Sequence, residues 1–339
     1  MAGAVHGGAE RFYERLCIAQ HQAGDAVLPA IRRDPAREAR LRAAGLAPLA
    51  LRFGAPFDLA TPLTLGRALR QFQPRVAVSW MNRASGLMPR GEWIAVGRLG
   101  GYYRLAHYRR CDHLVGNTRG IVDWLRRQGW PAARTHYLPN FTEDFADTPA
   151  AADALALPRP LLLGLGRLHT DKGFDTAIHA LARLPGVHLA LAGTGPQETA
   201  LRRLAATLGV QARVHFLGWR EDPGALLQAA DIFLCSSRIE PLGNMVIEAW
   251  SARTPVVALA AAGPAELIEN GTTGVLSPLE DAAALAASLA RVLASPALAA
   301  ELAAAARARF TAEFARPQVL TVWRDFLANV PARFGRNAT

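Results

Sequence analysis

The residues best suited to chemistry are two glutamates in the run SSRIEPLGNMVIE at positions 236–248. Glu240 and Glu248 lie eight residues apart, with Leu242, Gly243 and Asn244 between them. The run follows a short apolar strand and leads into a helix, whose first N–H groups bind anions readily. Carboxylates accept hydrogen bonds from hydroxyl groups. An anion site beside hydroxyl acceptors favours a sugar nucleotide as the ligand, and the alternative is a surface loop with two solvated glutamates.

A second loop, GLGRLHTDKGFD at positions 164–175, carries two cations after another apolar strand. Arg167 and Lys172 suit the two ends of a diphosphate. Lys172 is the only lysine among 38 basic residues. Because a compact ammonium and a planar guanidinium are not interchangeable at a phosphate, this exception favours a specific role over chance. The pattern GxxxxGK[ST] is absent, so the loop is not a P-loop.

A third turn, Gly193-Thr194-Gly195, begins like a dinucleotide fingerprint. Glu198 stands where the third glycine belongs, which disfavours NAD and a dehydrogenase. The pattern indicates instead a tight strand-to-helix turn.

Strands alternate with helices along the chain, which predicts an α/β fold with parallel sheets. Residues 81–91, including Asn82, are predicted as a loop after a strand, a usual place for ligand binding. The predicted strands are 27–31, 75–80, 93–96, 113–116, 136–138, 161–166, 187–192, 214–217, 231–235, 255–259 and 274–277. The predicted helices are 9–23, 62–72, 102–110, 119–129, 174–184, 197–209, 223–229, 265–270, 282–294, 297–314 and 319–330.

A chain of 339 residues is too long for one core, so two domains are expected. A linker rich in Ala, Asp and Pro at positions 143–158 predicts domains of 1–145 and 146–315. Gly7-Gly8 at a helix entrance would let a ligand approach the backbone closely. Such a turn normally follows a strand, so either the first strand is very short or the recorded start lies downstream of the true one.

Composition limits the function classes. Apolar residues make up 51% of the chain and charged residues 19%, which is ordinary for a soluble α/β protein. We find no signal peptide and no apolar run near the roughly 20 residues that span a bilayer. The cysteines Cys17, Cys111 and Cys235 are far apart, show no metal-ligand spacing and fit a reducing compartment.

Charge is distributed unevenly between the two halves. Residues 1–145 have a net charge of +10, and residues 146–339 have a net charge of zero. Such a surplus suits an anionic membrane surface or an acidic substrate. The alternative is a solvated arginine-rich face. Nucleic acid is disfavoured, because the arginines are dispersed and no nucleic-acid motif is present.

Taken together, the motifs resemble the retaining GT-B glycosyltransferases of family 4. The resemblance covers most of residues 160–278, in the right order. It extends into the first half at positions 7–11 and 138–140. The runs that carry it are GRL…KG at 166–173, AGTGP at 192–196, FLG at 216–218, EPLG…EA at 240–249 and GPAE…NG…G at 263–274.

This resemblance implies two Rossmann-like domains facing across a cleft, with residues 316–339 returning to the first domain. It implies a nucleotide-sugar donor in the second domain and a glycan or lipid-linked acceptor. Catalytic roles would fall to Glu240, Lys172 and Arg167. Donor-binding roles would fall to Arg167, Lys172, Gly193, Gly218, Trp219, Glu240, Leu242, Gly243, Asn244 and Glu248. Family members usually need no metal or other cofactor, since cations and a helix dipole neutralise the leaving diphosphate.

The first half departs from the family pattern at Arg98. Many relatives carry a histidine near this place, whereas arginine stays protonated and is a poor general base. Arg98 is therefore expected to bind an anionic group of acceptor or donor, or to be a structural cation. Gly7, Gly8, Asn82 and Arg98 make up the expected acceptor or diphosphate side.

The leading hypothesis is a cytoplasmic, peripherally membrane-associated retaining hexosyltransferase of surface polysaccharide or lipopolysaccharide assembly. A sugar-nucleotide epimerase of similar fold would interconvert donors without an acceptor. A non-catalytic nucleotide-sugar-binding subunit would bind donors without turnover.

Overall fold

A computed structural model describes residues 1–3, 7–54, 58 and 60–331. Its internal contacts divide the chain into two compact units. Unit 1 is Met1–Asn140 with Pro317–Thr339, and unit 2 is Phe141–Arg316. The sequence placed these boundaries at 145/146 and 315/316.

The elements of both units alternate along the chain as an α/β fold requires. In the described residues the strands are β1 Ala30–Arg32, β2 Leu49–Leu51, β3 Val76–Trp80, β4 Ile94–Leu99, β5 His113–Gly116, β6 Thr135–Tyr137, β7 Leu161–Leu165, β8 His188–Ala192, β9 Val214–Gly218, β10 Ile232–Cys235, β11 Val256–Leu259 and β12 Val275–Ser277. The α-helices are α1 Gly8–Gln22, α2 Pro35–Ala43, α3 Ala60–Phe72, α4 Met81–Gly86, α5 Arg119–Arg127, α6 Ala152–Leu155, α7 Phe174–Leu181, α8 Glu198–Thr207, α9 Pro223–Ala229, α10 Asn244–Ser251, α11 Ala262–Leu267, α12 Ala282–Leu293, α13 Pro296–Arg309 and α14 Arg316–Asn329.

Unit 2 is built on a six-stranded parallel sheet in the order β12-β11-β10-β7-β8-β9. Leu161, Leu163 and Leu165 pack into one core and Leu162 into the other, because alternate side chains leave a strand on opposite faces. Strand order runs outward from β7 to β9 and then restarts at β10 on the other side of β7. The reversal between β7 and β10 is a topological switch point, where α/β sheets bind ligands.

The described residues of unit 1 form two parallel sheets, a pair β1-β2 and a four-stranded sheet β3-β4-β5-β6. A cavity of about 750 Å³ lies inside the unit and is lined by the consecutive residues 73–80 and by residues 26–28 and 30. Since β3 ends its sheet, the cavity follows the strand edge that has no partner strand among the described residues.

The expected first strand has only a partial counterpart. Residues 1–3 form no regular strand, and residues 4–6 lie outside the described part of the chain. Of residues 1–3, Met1 pairs with β1: its N–H group donates to the Ala30 carbonyl at 2.6 Å, and its carbonyl accepts from the Arg32 N–H at 2.9 Å.

Several predicted elements in unit 1 were wrong in kind or extent. Residues 81–86 of the predicted loop form helix α4, which is too short to show a helical period in sequence. The helix predicted at 102–110 is only a 3₁₀ turn, Leu105–Tyr108. Tyr108 at the end of this turn and Cys111 beyond it both pack over Gly97. The strand predicted at 27–31 is shorter and lies later in the chain, because β1 spans only Ala30–Arg32.

Helices of unit 2 also differ from their predictions, and the one expected at 265–270 spans Ala262–Leu267 instead. The helix expected at 297–314 ends at Arg309 and continues as a π turn, Phe310–Phe314. Across the described residues, no single helix is long and apolar enough to cross a bilayer. α12 and the segment Pro296–Asn329 meet the length and composition only as a pair bent by 98°.

Helix α14 is anchored in unit 1 by Trp323. Its ring stacks on Trp80 with centroids 6.1 Å apart, and its Nε1–H donates to the Pro139 carbonyl at 3.2 Å. The side chain is 1% exposed. The C-terminal helix therefore contributes directly to the core of unit 1.

We expect Trp323→Ala to lower the free energy of unfolding by about 3–5 kcal/mol, because a buried aromatic ring and its hydrogen bond are lost. Denaturant unfolding followed by circular dichroism measures this change. Val322→Ala, at a neighbouring side chain that is 42% exposed, is the matched control and should stay within about 0.5 kcal/mol of the wild type. Equal effects of the two substitutions would contradict the anchoring role.

Candidate active site

The loops after β7 and β10 meet at the switch point of unit 2. Lys172 ends a 3₁₀ turn, Thr170–Lys172, in the first loop, and Glu240 lies in the second. The Lys172 Nζ donates to the Glu240 Oε2 at 2.5 Å, and both side chains are largely buried. Residues 68 positions apart in sequence thus form one ion pair at the ligand-binding edge of the sheet.

Glu240 also caps the start of α10. Its Oε1 accepts from the Gly243 N–H at 3.2 Å, and its carbonyl accepts from the Gly263 N–H at 2.7 Å. Gly243 has φ 89°, a left-handed conformation that glycine adopts without strain. Leu242 is buried beside it. A carboxylate therefore lies between a cation and the positive end of a helix, where anions are stabilised.

Glu248 and Asn244 lie on α10, which Gly243 precedes. Asn244 is the first residue of the helix, and Glu248 is one turn further on and 7% exposed. The helix thus carries both residues from the same switch-point loop as Glu240.

Arg238 joins the two loops, and the sequence analysis gave it no role. Its Nη1 and Nη2 donate to the two carboxylate oxygens of Asp175, both at 2.7 Å. Its Nη1 also donates to the Thr170 carbonyl at 3.1 Å. Burial would raise the pKa of Asp175, but the hydrogen bonds and charge of Arg238 hold it below its usual range. The carboxylate stays ionised and the clamp stays charged at neutral pH.

Two glycines allow the loops to pack backbone against backbone. A Cβ on Gly173, at φ 59°, would lie 2.1 Å from the Ser236 carbonyl oxygen. A Cβ on Gly193 would lie 1.9 Å from the Gly166 carbonyl oxygen. Gly193 also donates its N–H to the Gly218 carbonyl at 2.7 Å. Both positions exclude a side chain because carbonyls of neighbouring loops occupy the space.

Other residues predicted to bind the nucleotide-sugar donor lie at the same edge of the unit 2 sheet but take no part in the ion pair between Lys172 and Glu240. Arg167 is exposed, and its guanidinium makes no hydrogen bond or ion pair within the described part of the chain. Gly218 ends β9, and Trp219 follows it with 51% of its surface exposed. Since β9 is an end strand of the sheet, these two residues lie beyond β8 from Lys172.

The predicted residues of unit 1 have different surroundings. Gly7 is the N-cap of α1 and Gly8 its first residue. A Cβ on Gly7 would lie 2.2 Å from a carboxylate oxygen of Glu10, so a negative charge of the protein already lies beside this helix start. Asn82 is on α4, and its buried Oδ1 has no hydrogen-bond partner in the described structure.

Arg98 lies at the carboxyl end of β4 and is 0% exposed. Its guanidinium carbon lies 4.4 Å from the ring centroid of Trp80 and 5.2 Å from that of Phe12. Burial lowers the pKa of Arg98 to about 9, which leaves it charged at neutral pH.

Metal ligation finds no support among the described residues, where no three His, Cys, Asp or Glu side chains cluster in a way that would hold an ion. Cys17, Cys111 and Cys235 are free and buried.

Comparison with known proteins identifies the family. The family described as glycosyl transferases group 1 matches residues 150–309. The lipopolysaccharide core biosynthesis glycosyltransferase LpsE of Rhizobium meliloti (strain 1021) is 34% identical over 340 residues, covering 96% of this chain and 97% of LpsE. The chain belongs to the group 1 glycosyltransferases. Glycosyltransferase activity, as predicted, is thereby supported, and the epimerase alternative is not favoured.

Solved structures share the fold of this glycosyltransferase. A glycosyltransferase from Rickettsia africae ESF-5 matches with a TM-score of 0.85 at 16% identity, covering 97% of each chain. HepE from Anabaena, solved in complex with UDP-glucose, matches with a TM-score of 0.79 at 21% identity, covering 95% of this chain and 96% of HepE. The predicted two-domain α/β fold of GT-B glycosyltransferases is confirmed.

We expect Arg238→Ala to speed hydrogen exchange of the backbone amides at 236–243 at least tenfold. The change removes a bidentate, partly buried pair that holds the loop, and about 1.4 kcal/mol of local stability corresponds to a factor of ten. Hydrogen exchange read by mass spectrometry measures it.

Arg202→Ala is the control, since Arg202 forms an exposed pair with Glu198 on α8. It should leave exchange at 236–243 unchanged. An Arg238→Ala protein with wild-type exchange in this segment would show that the loop is held by other contacts.

Proposed function

We propose that this glycosyltransferase transfers a hexose from a nucleotide-sugar donor to a lipopolysaccharide core or related lipid-linked glycan. The acceptor class is supported by LpsE, whose name assigns it to lipopolysaccharide core biosynthesis and which aligns along nearly the whole chain. The cytoplasmic location and the anionic membrane surface expected from the sequence stay predictions.

The observation that carries the donor proposal is the ion pair between Lys172 and Glu240 at the start of α10. In this pair the Glu240 carboxylate bridges two donors: its Oε2 accepts from the Lys172 ammonium, and its Oε1 accepts from the N–H of Gly243, the N-cap of α10. Phosphate oxygens suit the same two partners, because both are hydrogen-bond donors, one with a full and the other with a partial positive charge. A bound diphosphate would replace Glu240 as the partner of the Lys172 ammonium, and the Glu240 carboxylate would then be free to face the sugar.

The remaining site residues suit the other parts of a nucleotide sugar. Glu248 would accept hydrogen bonds from the ribose hydroxyls, and exposed Arg167 would reach the outer phosphate. Trp219, half exposed at the end of β9, would border the base. HepE was solved with UDP-glucose, which makes UDP-sugars the first donors to test.

We further propose transfer with retention of anomeric configuration, as in family 4. The bond between the sugar C1 and the phosphate oxygen breaks, and a bond from C1 to the acceptor oxygen forms on the same face. The acceptor proton passes to the leaving phosphate oxygen. Lys172, Arg167 and the α10 N-terminus would neutralise the leaving diphosphate, so we expect activity to survive a chelator.

We expect Lys172→Ala to weaken donor binding about 10- to 100-fold, because a charge-assisted contact to phosphate is lost. Isothermal titration with a panel of UDP-, GDP- and ADP-sugars measures it. Lys172→Arg, which keeps the charge but changes its shape, should lie between alanine and wild type. Arg202→Ala should bind as the wild type. A protein that binds no donor in the panel would refute the donor proposal, and unchanged affinity in Lys172→Ala would remove Lys172 from the site.

Retention predicts that the product has the same anomeric configuration as the donor. The protein is incubated with the donor found in the panel and a core oligosaccharide acceptor, and proton NMR gives the anomeric coupling constant of the new linkage. Inversion would overturn the retaining assignment, while leaving donor binding unaffected.

A further inference from the structure

Arg98 is a buried cation with no counter-ion among the described residues. Its Nη2 donates to the Asn140 Oδ1 at 2.5 Å, whereas Nε and Nη1 have no hydrogen-bond partner in the described structure. No carboxylate of the described residues lies within ion-pair distance of its guanidinium. An unpaired buried charge is strongly unfavourable, so this arrangement gains stability when an anion binds.

The free Nη1 of Arg98 points toward a small space beside Gly100. A Cβ placed on Gly100 would lie 3.6 Å from Arg98 Nη1, 3.9 Å from Tyr103 Oη and 4.0 Å from Asn117 Nδ2. Three groups that can donate N–H or O–H therefore converge on one point. The missing side chain of Gly100 leaves this point open.

Parallel strands bring these groups together. Arg98 is the second-last residue of β4, and Asn117 directly follows β5. Leu99 is paired with Gly116 in the register of these strands, so both groups lie at the carboxyl edge of the unit 1 sheet. Asn117 is 4% exposed, whereas Gly100 and Tyr103 are half-buried, which leaves one side of the space toward solvent.

The hydrogen-bond donors around this point determine which chemical class of ligand would bind there. A fixed cation, a phenol and an amide, with no carboxylate among them, suit the oxygens of a carboxylate or a phosphate. Arg98 is not a proton acceptor, so its role is binding. We propose that Arg98, Tyr103 and Asn117 form an anion site that takes a carboxylate or phosphate group carried by a sugar substrate. The binding of an anion at this site does not depend on the proposed function. The assignment of that anion to the sugar donor or to the acceptor rests on the proposed function.

Gly100→Ala is the sharpest test of the site. The added methyl group meets its neighbours only at 3.6–4.0 Å, which is ordinary contact, yet it fills the point where the anion would lie. Gly66→Ala is the matched control, because its added methyl group also meets neighbours at 3.6–3.9 Å, on α3 and outside the site.

The probes are inorganic phosphate and glucuronate, titrated into the full chain and followed calorimetrically, with sodium chloride at equal ionic strength as the reference. We expect Gly100→Ala to weaken binding of at least one probe by about tenfold or more while keeping the melting temperature of the wild type. Tyr103→Phe should weaken it severalfold. Tyr102→Phe should not, since Tyr102 packs against Trp124 instead. Wild-type affinity in both Gly100→Ala and Tyr103→Phe, or no probe binding in the wild type, would overturn the site.

Kinetic measurements then identify the substrate that carries the anion. If it belongs to the donor, Gly100→Ala raises KM about tenfold for a nucleotide uronic acid and leaves KM for the matching neutral nucleotide hexose unchanged. If it belongs to the acceptor, the same variant raises KM for a phosphorylated core acceptor and not for its dephosphorylated form. Equal KM changes for charged and neutral forms in both series would refute recognition of a substrate anion. Failure of all donors to bind would refute the proposed function but leave the probe titrations intact.

Discussion

The candidate site in unit 2 depends on the bidentate ion pair between Arg238 and Asp175. It joins the loop after β10 to the start of α7, and the same guanidinium reaches the carbonyl of Thr170. Together with a hydrogen bond from the Arg238 N–H to the Asp171 carbonyl at 2.8 Å, it fixes the loops that carry Lys172 and Glu240 to each other. Because these loops leave neighbouring parallel strands at the switch point, one local clamp orients a cation, a carboxylate and the start of α10 together.

Much of unit 2 was predictable, because its central strands are continuous apolar runs that end in glycine-rich loops. Such runs indicate buried parallel strands, and parallel strands bring their following loops to one edge. Lys172 and Glu240 could therefore be assigned to one region. Their direct pairing and the clamp by Arg238 could not, since side-chain partners 68 and 63 residues apart leave no periodic signal. Arg238 lies in the motif at positions 236–248, but only tertiary contacts distinguish it from a solvated arginine.

Unit 1 was harder to predict, for physical reasons that its elements show. Strands β1 and β2 have three residues each, and α4 has six, so none of the three is long enough to show a reliable hydrophobic period in the sequence. Arg98 was recognised as unusual for the family, but its burial between aromatic rings was not visible in sequence. Arginine is rarely buried without a partner, and only the packing of Phe12 and Trp80 around it reveals that the position is interior.

The use of arginine for every cation except Lys172 has a practical consequence for chemical labelling. Lys172 carries the only ε-amine in the chain. Reductive methylation with ¹³C-formaldehyde therefore places a label at one side chain besides the α-amine, inside the pair with Glu240. The methyl resonance of that label would report in solution whether the ammonium faces a carboxylate or a bound ligand. The composition of the chain thus supplies a single spectroscopic reporter in the candidate active site.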